Sequence, residues 1–399
     1  MNHFILKIHR TVNSYIVRIK RKLILYVFRS KHKFILHAVG DKSVILESLR
    51  SIQNVKFSSD NCISFNAGII LPPEFDIKKA RILENGNIVL FGCNQMYYSV
   101  DNLLTIHPCI VIDKNGLTYS YHMPVNSEYP GGYFYFMGGF IENSGVCVLG
   151  NYTNSSMGSS PVNLYYSLDG ITWKVFYTFG QNPDYTDNGT RGGGIGGSLL
   201  GDPNNSIITR HIHAINIGGD GNFYVCTGDS SESMHFLKCS YNRTKNNWVI
   251  SDLLKENSLS WQRMRALGVF ERNGYLYWGS DGRGTFSLRG VTYESLGIYK
   301  CSVSDINNPS RHILLQSLTD SCYSFLNIDN IVLAGLQNSS RIYLSFDYGE
   351  TWSFFKKPIY MTGSVEGVWY NKKYEYFGTH KSGFKLNKVK IEPTNSQEK

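Results

Sequence analysis

Thr209-Arg210-His211-Ile212-His213-Ala214 sets two imidazoles two residues apart, so on a strand both share a face. Such a pair can serve as a general base, orient a carboxylate, or give a metal two of the three or more ligands it needs. Two imidazoles bonded between neighbouring elements are the structural alternative. Downstream, Thr227-Gly228-Asp229 brings Asp229 to the end of the next apolar run. Trp261-Gln262-Arg263-Met264-Arg265 repeats the spacing with guanidinium groups. Arg263 and Arg265 are expected on one strand face, where their forks suit carboxylates or phosphates and Trp261 suits stacking on a sugar ring. Gly279-Ser280-Asp281-Gly282-Arg283 adds Asp281 and Arg283, and Asp281 can equally hold one of those arginines as structure. Glu366 follows Gly363-Ser364-Val365, and His380 follows Gly378-Thr379. Arg191 lies in the glycine-dense stretch Thr190-Arg191-Gly192-Gly193-Gly194-Ile195-Gly196-Gly197, where backbone can approach a ligand or move as a lid. No Gly-Lys-Ser/Thr follows, so it is not a phosphate-binding loop of the nucleotide-hydrolase kind.

Strands are the elements that would position these residues, and the chain repeats one pattern. A polar turn followed by a short apolar run ending near Gly recurs six times: at Asn85-Gly86, Asn143-Ser144-Gly145, Asp220-Gly221, Asn273-Gly274, Asp329-Asn330 and Asn371-Lys372. Five copies lead into a further strand with a shared ending, among them Tyr97-Tyr98-Ser99, Tyr165-Tyr166-Ser167 and Tyr343-Leu344-Ser345. Each unit fits a four-stranded antiparallel sheet. The 27 Tyr and 38 Gly against 11 Pro suit strands and turns.

Ser345-Phe346-Asp347-Tyr348-Gly349-Glu350-Thr351-Trp352 reads Ser-x-Asp-x-Gly-x-Thr-Trp, and Ser167-Leu168-Asp169-Gly170-Ile171-Thr172-Trp173 is a copy one residue shorter. Ser99-Val100-Asp101-Asn102 reads as a decayed copy. On these motifs the chain resembles the sialidase-like, Asp-box β-propeller superfamily. The resemblance implies an all-β fold, a six-bladed propeller with seven blades as the alternative. It implies that function collects on the face where the innermost strands begin, opposite the Asp boxes. Ser321-Cys322-Tyr323-Ser324-Phe325-Leu326 is similar to the segment carrying the sialidase nucleophilic tyrosine, which makes Tyr323 a nucleophile or acid–base candidate. Arg210-His211-Ile212 loosely matches the Arg-Ile-Pro region of that family. The arginine order departs from the sialidase pattern and no Asp is placed as the acid. The paired histidines with Arg and Tyr look more like propeller polysaccharide lyases, in which a uronate carboxylate is neutralised and a base removes the adjacent proton.

His211, His213, Tyr323 and Glu366 are therefore the catalytic candidates. Arg191, Arg210, Asp229, Trp261, Arg263, Arg265, Asp281, Arg283 and His380 are the substrate-binding candidates. The expected function is cleavage of an anionic glycan, such as a bacterial surface polysaccharide, by hydrolysis or elimination. A membrane-associated glycosyltransferase of polysaccharide assembly and a non-catalytic glycan- or protein-binding propeller stay open as alternatives. No cofactor is expected, a divalent metal being the one considered.

The +9 net charge is uneven. Residues 1–42 hold 10 of the 40 basic residues and only Asp41 of the 31 acidic ones, so the remainder is neutral and gives no reason to invoke nucleic acid. Lys20-Arg21-Lys22, Leu23 to Phe28 and Arg29-Ser30-Lys31-His32-Lys33 predict a basic amphipathic helical extension over 1–43. Residues 1–40 are expected to lie on an anionic membrane surface, making the protein cytoplasmic and peripheral at the inner membrane. A propeller is expected over 44–392 and a disordered tail over 393–399. None of the eight cysteines forms a Cys-x-x-Cys pair, so buried free thiols are expected rather than a zinc ribbon.

Overall fold

Runs such as Phe223-Tyr224-Val225-Cys226-Thr227-Gly228 and Ile331 to Leu336 are rich in β-branched and aromatic residues, end at glycine or polar turns, and form strands. A computed structural model describes residues 34–39, 44–48, 54–58, 69–70, 79–91, 96–120, 139–151, 161–182, 201–228, 233–254, 261–282, 285–288, 291–328, 330–336, 341–356, 365–371, 374–379 and 387–389. The described chain is nearly all-β. Its seven main sheets each begin with one strand: β1 (Phe34–Val39), β2 (Lys79–Ile82), β3 (Phe140–Asn143), β4 (His211–Ile217), β5 (Ala266–Arg272), β6 (Cys322–Ile328) and β7 (Val365–Asn371). From its first strand each sheet runs as an antiparallel meander. The third also takes strand Ile110–Ile112 parallel to Thr172–Thr178, and a two-stranded hairpin, Thr285–Leu288 with Val291–Glu294, projects from the fifth.

The first strands make a closed circuit. β1 neighbours β2, β3 neighbours β4, and so on through β5, β6 and β7, which returns to β1. Sheets two and three are joined by a shared core of Val89, Phe91, Phe140, Leu149 and Trp173. This is the radial arrangement of a β-propeller, in which the unpaired edges of the first strands are short and protected by neighbouring sheets.

Strand alternation builds the core between sheets rather than inside any one of them. In the fourth sheet Val225 packs back against Val148 and Leu164 of the third, whereas Tyr224 and Cys226 pack forward against Val269 and Trp278 of the fifth. Phe270 and Tyr277 then face Phe325 and Tyr343 of the sixth. Each such side chain contributes about 1.5–3 kcal/mol on burial.

Three turns joining third to fourth strands share one hydrogen-bond pattern. Ser345 Oγ receives the Gly349 N–H at 2.7 Å, and Thr351 Oγ donates to Asp347 at 2.6 Å. Ser99, Leu103, Thr105 and Asp101 repeat this at 2.9 and 2.6 Å, with Leu103 at φ 63° where Gly349 has φ 95°. Ser167 and Asp169 do the same for the Gly170 and Thr172 N–H groups. The turn at Ser99 is thus intact. What it lacks against the Ser345 motif is glycine and tryptophan, replaced by Leu103 and Ile106.

Sequence periodicity placed a helical extension across 1–43 and favoured six sheets. The structure instead puts β1 at Phe34–Val39 and completes a four-stranded sheet with Val44–Ser48, Asn54–Ser58 and Ile69–Ile70. The turn after β1 carries no glycine-ended copy of the repeat, so pattern matching kept this sheet only as the seven-bladed alternative and assigned β1 to the extension. Residues 1–33 and 393–399 lie outside the described residues.

Six cysteines, Cys109, Cys147, Cys226, Cys239, Cys301 and Cys322, are buried and free. Burial raises the thiols of Cys226 and Cys301 to about 12, which leaves them inert. Cys62 and Cys93 lie outside the described residues.

At the turn face Glu84 and Glu142 meet. Glu142 accepts the Glu84 N–H at 3.0 Å, and Glu84 accepts the Gly145 N–H at 3.0 Å. Burial, with the Glu84 charge adding, pushes the Glu142 carboxyl up to about 7, against the opposing bond from the Glu84 N–H. A carboxyl raised on folding favours the protonated native state. That stability is present below the ordinary carboxylate range and is lost as pH rises towards 7. Glu142→Gln is therefore expected to raise Tm at pH 8 and leave it nearly unchanged at pH 5. An equal shift at both pH values in thermal melts would refute the assignment.

Candidate functional site

β4 opens on His211-Ile212-His213, and its pairing with Phe223–Gly228 skips a residue between Ile212 and Ala214, so His213 sits on a β-bulge. The same irregularity recurs in the first half of the next three first strands: Leu267-Gly268 in β5, Tyr323 in β6 and Glu366 in β7. A bulge re-aims the side chain it carries and sharpens the local twist. Three of the four catalytic candidates thus occupy bulges in the first half of strands of the same circuit, Tyr323 and Glu366 at the same distance from the hairpin and His213 one residue nearer to it. β1 also bulges, at His37, but nearer its hairpin end.

The two histidines are buried, His211 to 1% exposure and His213 to 3%. Their Nε2 atoms lie 3.0 Å apart, and His213 Nδ1 lies 2.9 Å from the Ala266 carbonyl at the start of β5. A carbonyl only accepts, so His213 Nδ1–H donates to it. With both rings neutral, His211 Nε2–H then donates to His213 Nε2. The pair joins the fourth and fifth sheets. Gly228, opposite His211, makes room for it: a methyl group at Gly228 would overlap the His213 ring.

Lower in the circuit, Asn216 ties β4 to both neighbours. Its Oδ1 accepts the Val269 N–H at 3.2 Å, and its Nδ2 donates to the Phe325 carbonyl and to Asn327 Oδ1, both at 3.2 Å. Asn327 returns a bond to the Ile217 carbonyl at 2.8 Å. Gly268, at φ 152°, lets β5 come so close to β6 that a side chain there would strike the Phe325 backbone. The bulges therefore sit on strands locked together below them.

The arginine pair does not have the predicted geometry. Trp261–Met264 is a single helical turn, α1, and not a strand. Arg263 is buried with its guanidinium 4.6 Å from the centre of the Tyr299 ring, and it donates to the carbonyls of Glu294 and Pro309 at 3.0 and 3.1 Å. It holds the outer part of the fifth sheet through these bonds. His312 beside it is driven down to about 4 by burial, with the Arg263 charge adding and its bond to the Ile306 carbonyl opposing. Arg265 leaves the helical turn in the other direction and reaches Asp281 at 3.0 Å. Arg265 stays half-buried while Asp281 is buried. Ser321, just before β6, donates to the carbonyls of Asp281 or Gly282 at 3.3 Å. Arg265 and Asp281 thus border the bulge of β5, and Asp281 orients the guanidinium.

Arg210 directly precedes β4 and is half-buried, as is Tyr323 on β6. The backbone places Glu366 on β7, next to β6. Trp261 begins α1. Arg191, Asp229, Arg283 and His380 lie outside the described residues. Sequence inspection missed the bulges, which depend on strand pairing and leave no residue signature. It also missed the Asn216–Asn327 link, whose members are 111 residues apart. Among the described residues no group of three His, Cys, Asp or Glu is arranged as a metal site.

No protein-family model matches the chain, and no curated protein does. Solved structures give distant likenesses. YCF48 bound to a D1 peptide is 11% identical, with TM-score 0.47, over 91% of this chain and 95% of that one. A puromycin hydrolase is 10% identical, with TM-score 0.47, over 92% of this chain and 53% of that one. The extracellular domain of BT4673, a one-component system protein of B. thetaiotaomicron, is 9% identical, with TM-score 0.46, over 87% of this chain and 39% of that one. None of these likenesses bears on what this chain binds.

Proposed function

We propose that the chain is a seven-bladed propeller that cleaves glycosidic bonds in an anionic glycan, at the face where β4 to β7 begin. The observation carrying this is the run of bulges in the first halves of β4, β6 and β7, with Tyr323 and Glu366 at the same place on adjacent strands and His213 one residue nearer its hairpin. Glu366 and Tyr323 are on adjacent first strands, so a carboxylate can take the phenolic proton as Tyr323 attacks the anomeric carbon. The glycosidic C–O bond breaks, its leaving oxygen takes a proton from water, and a second water then displaces the phenol from the sugar, the phenolic oxygen regaining its proton. A tyrosine is a suitable nucleophile where the substrate carries its own carboxylate, because the neutral phenol approaches without charge repulsion. Arg210 and Arg265, both half-buried and both bordering the bulges, supply positive charge for that carboxylate. Incubation with a panel of sialylated and uronate-containing glycans tests the proposal. New reducing ends support hydrolysis, and ultraviolet-absorbing unsaturated ends support elimination with His213 or Tyr323 as base. Binding without any product would leave a recognition module.

That second reading has an observation of its own. Arg263 and the two histidines are already bonded within the protein, which is how residues of a rigid recognition scaffold behave. Glycan affinity that survives Tyr323→Phe with no turnover in either protein would favour it.

We further propose that residues 1–33 hold the protein on an anionic membrane surface, from their density of Lys, Arg and apolar residues. Because β1 begins at Phe34, a deletion must stop at Lys33 to keep the first sheet. The protein lacking 1–33 is expected to stay folded and to lose sedimentation with phosphatidylserine vesicles. Undiminished sedimentation would contradict the proposal.

A further inference from the structure

We infer that His235 and Asp252 form a clamp on the backbone that leads into β4, which makes His235 a positioning residue for Arg210. The clamp rests on its hydrogen bonds, and its part in substrate binding rests on the glycan reading above. His235 directly precedes the third strand of the fourth sheet, Phe236–Asn242, and Asp252 ends the fourth strand, Asn247–Asp252. His235 Nδ1 lies 2.7 Å from an Asp252 carboxylate oxygen, and its Nε2 lies 3.0 Å from the Ile208 carbonyl. Carboxylate and carbonyl oxygens only accept, so both ring nitrogens donate and the ring is an imidazolium. Both bonds are then assisted by charge, and His235 is buried.

An Asp–His pair that activates a nucleophile keeps Nε2 for the reacting hydroxyl. Here Nε2 is engaged by Ile208, so the pair holds backbone. Further bonds close the knot. Thr209 and Thr227 both donate their hydroxyls to the Ser233 carbonyl at 2.7 Å. Thr227 Oγ1 accepts the His235 N–H at 2.9 Å, and the other Asp252 oxygen accepts the Leu254 N–H at 3.0 Å. Thr209, Thr227 and Ser233 are buried, so water does not compete for these groups. The approach to β4, the end of the second strand, the start of the third and the end of the fourth are thus tied at one point. Arg210 stands next to Thr209 and is half-buried. Ile208 and Thr209 are held on one side of it, and on the other His211 is already paired with Gly228. A substrate carboxylate would meet a guanidinium whose backbone is set before binding, and the ordering cost that this avoids appears as affinity.

The test uses the full chain with His235→Gln, Asp252→Asn and the double substitution. In each, amide hydrogen exchange of residues 201–210 is expected to quicken by about 10–100-fold while the other sheets keep their rates. The double variant should be no faster than either single one, because the two bonds stand together. Unchanged exchange of 201–210 in folded His235→Gln, or equal acceleration over the whole chain, would overturn the clamp. Should His235→Gln fail to fold, neutron diffraction from the unaltered protein decides instead: hydrogen on both ring nitrogens supports the clamp, and a bare Nε2 refutes it. On an anionic glycan, His235→Gln should raise KM by about 10-fold or more and leave kcat nearly unchanged. An unchanged KM beside a loosened segment would overturn the positioning role. Absence of turnover in the unaltered protein would count against the glycan reading and leave the exchange result to judge the clamp.

Discussion

Tyr323→Phe is expected to lower turnover of an anionic glycan by about 10²–10⁴-fold, the range for loss of a group that moves protons in the transition state. Only the hydroxyl is removed, and the half-buried ring keeps its place on β6, so the circular dichroism spectrum and Tm should not change. Glu366→Gln should cost a similar factor, because a carboxamide cannot accept the phenolic proton. The double variant should be scarcely worse than either single one, since residues acting as one unit are not additive. Multiplying losses would mean that the two act separately. Full turnover by Tyr323→Phe would move the chemistry off β6 altogether.

Trp173→Ala should have the largest effect on stability, about 3–5 kcal/mol. Trp173 is fully buried between the second and third sheets, edge-on to Phe91 at 6.1 Å and tilted against Phe140 at 6.1 Å. Its indole N–H also donates to the Gly170 carbonyl at 3.1 Å, closing the turn that Asp169 begins. Trp173→Phe should cost less, because it keeps most of the packing and loses chiefly that hydrogen bond, worth about 1 kcal/mol. Trp352 donates to the Gly349 carbonyl at 2.8 Å in the same way but is only partly buried, so Trp352→Ala should cost less than Trp173→Ala. Urea denaturation of the three variants checks the order. Equal losses for Trp173→Ala and Trp352→Ala would mean that the turn bond, and not inter-sheet packing, sets the stability.

What could be seen in the sequence was local. Ser345 to Trp352 and Ser167 to Trp173 could be read because Ser, Asp and Thr satisfy one turn's backbone from within a few residues. The turn at Ser99 was underrated because Leu103 accepts a positive φ where glycine is usual, its buried side chain offsetting the strain. The closeness of His211 to His213 followed from strand period, yet their Nε2 contact and the Ala266 carbonyl came only from the meeting of two sheets. Arg263 was misplaced because Trp261–Met264 forms a helical turn where alternation suggested a strand. Four residues are too few for either period to declare itself. The strand Phe34–Val39 was assigned to the extension because the basic residues before it made the stretch look continuous with that segment.

The bulges carry the whole functional assignment, and one distance tests it. A crystal structure of the full chain should place the Tyr323 hydroxyl within about 2.6–3.2 Å of the Glu366 carboxylate, directly or through one water. Tyr323 and Glu366 turned to opposite faces of their sheets, or separated by packed side chains, would contradict the proposed site.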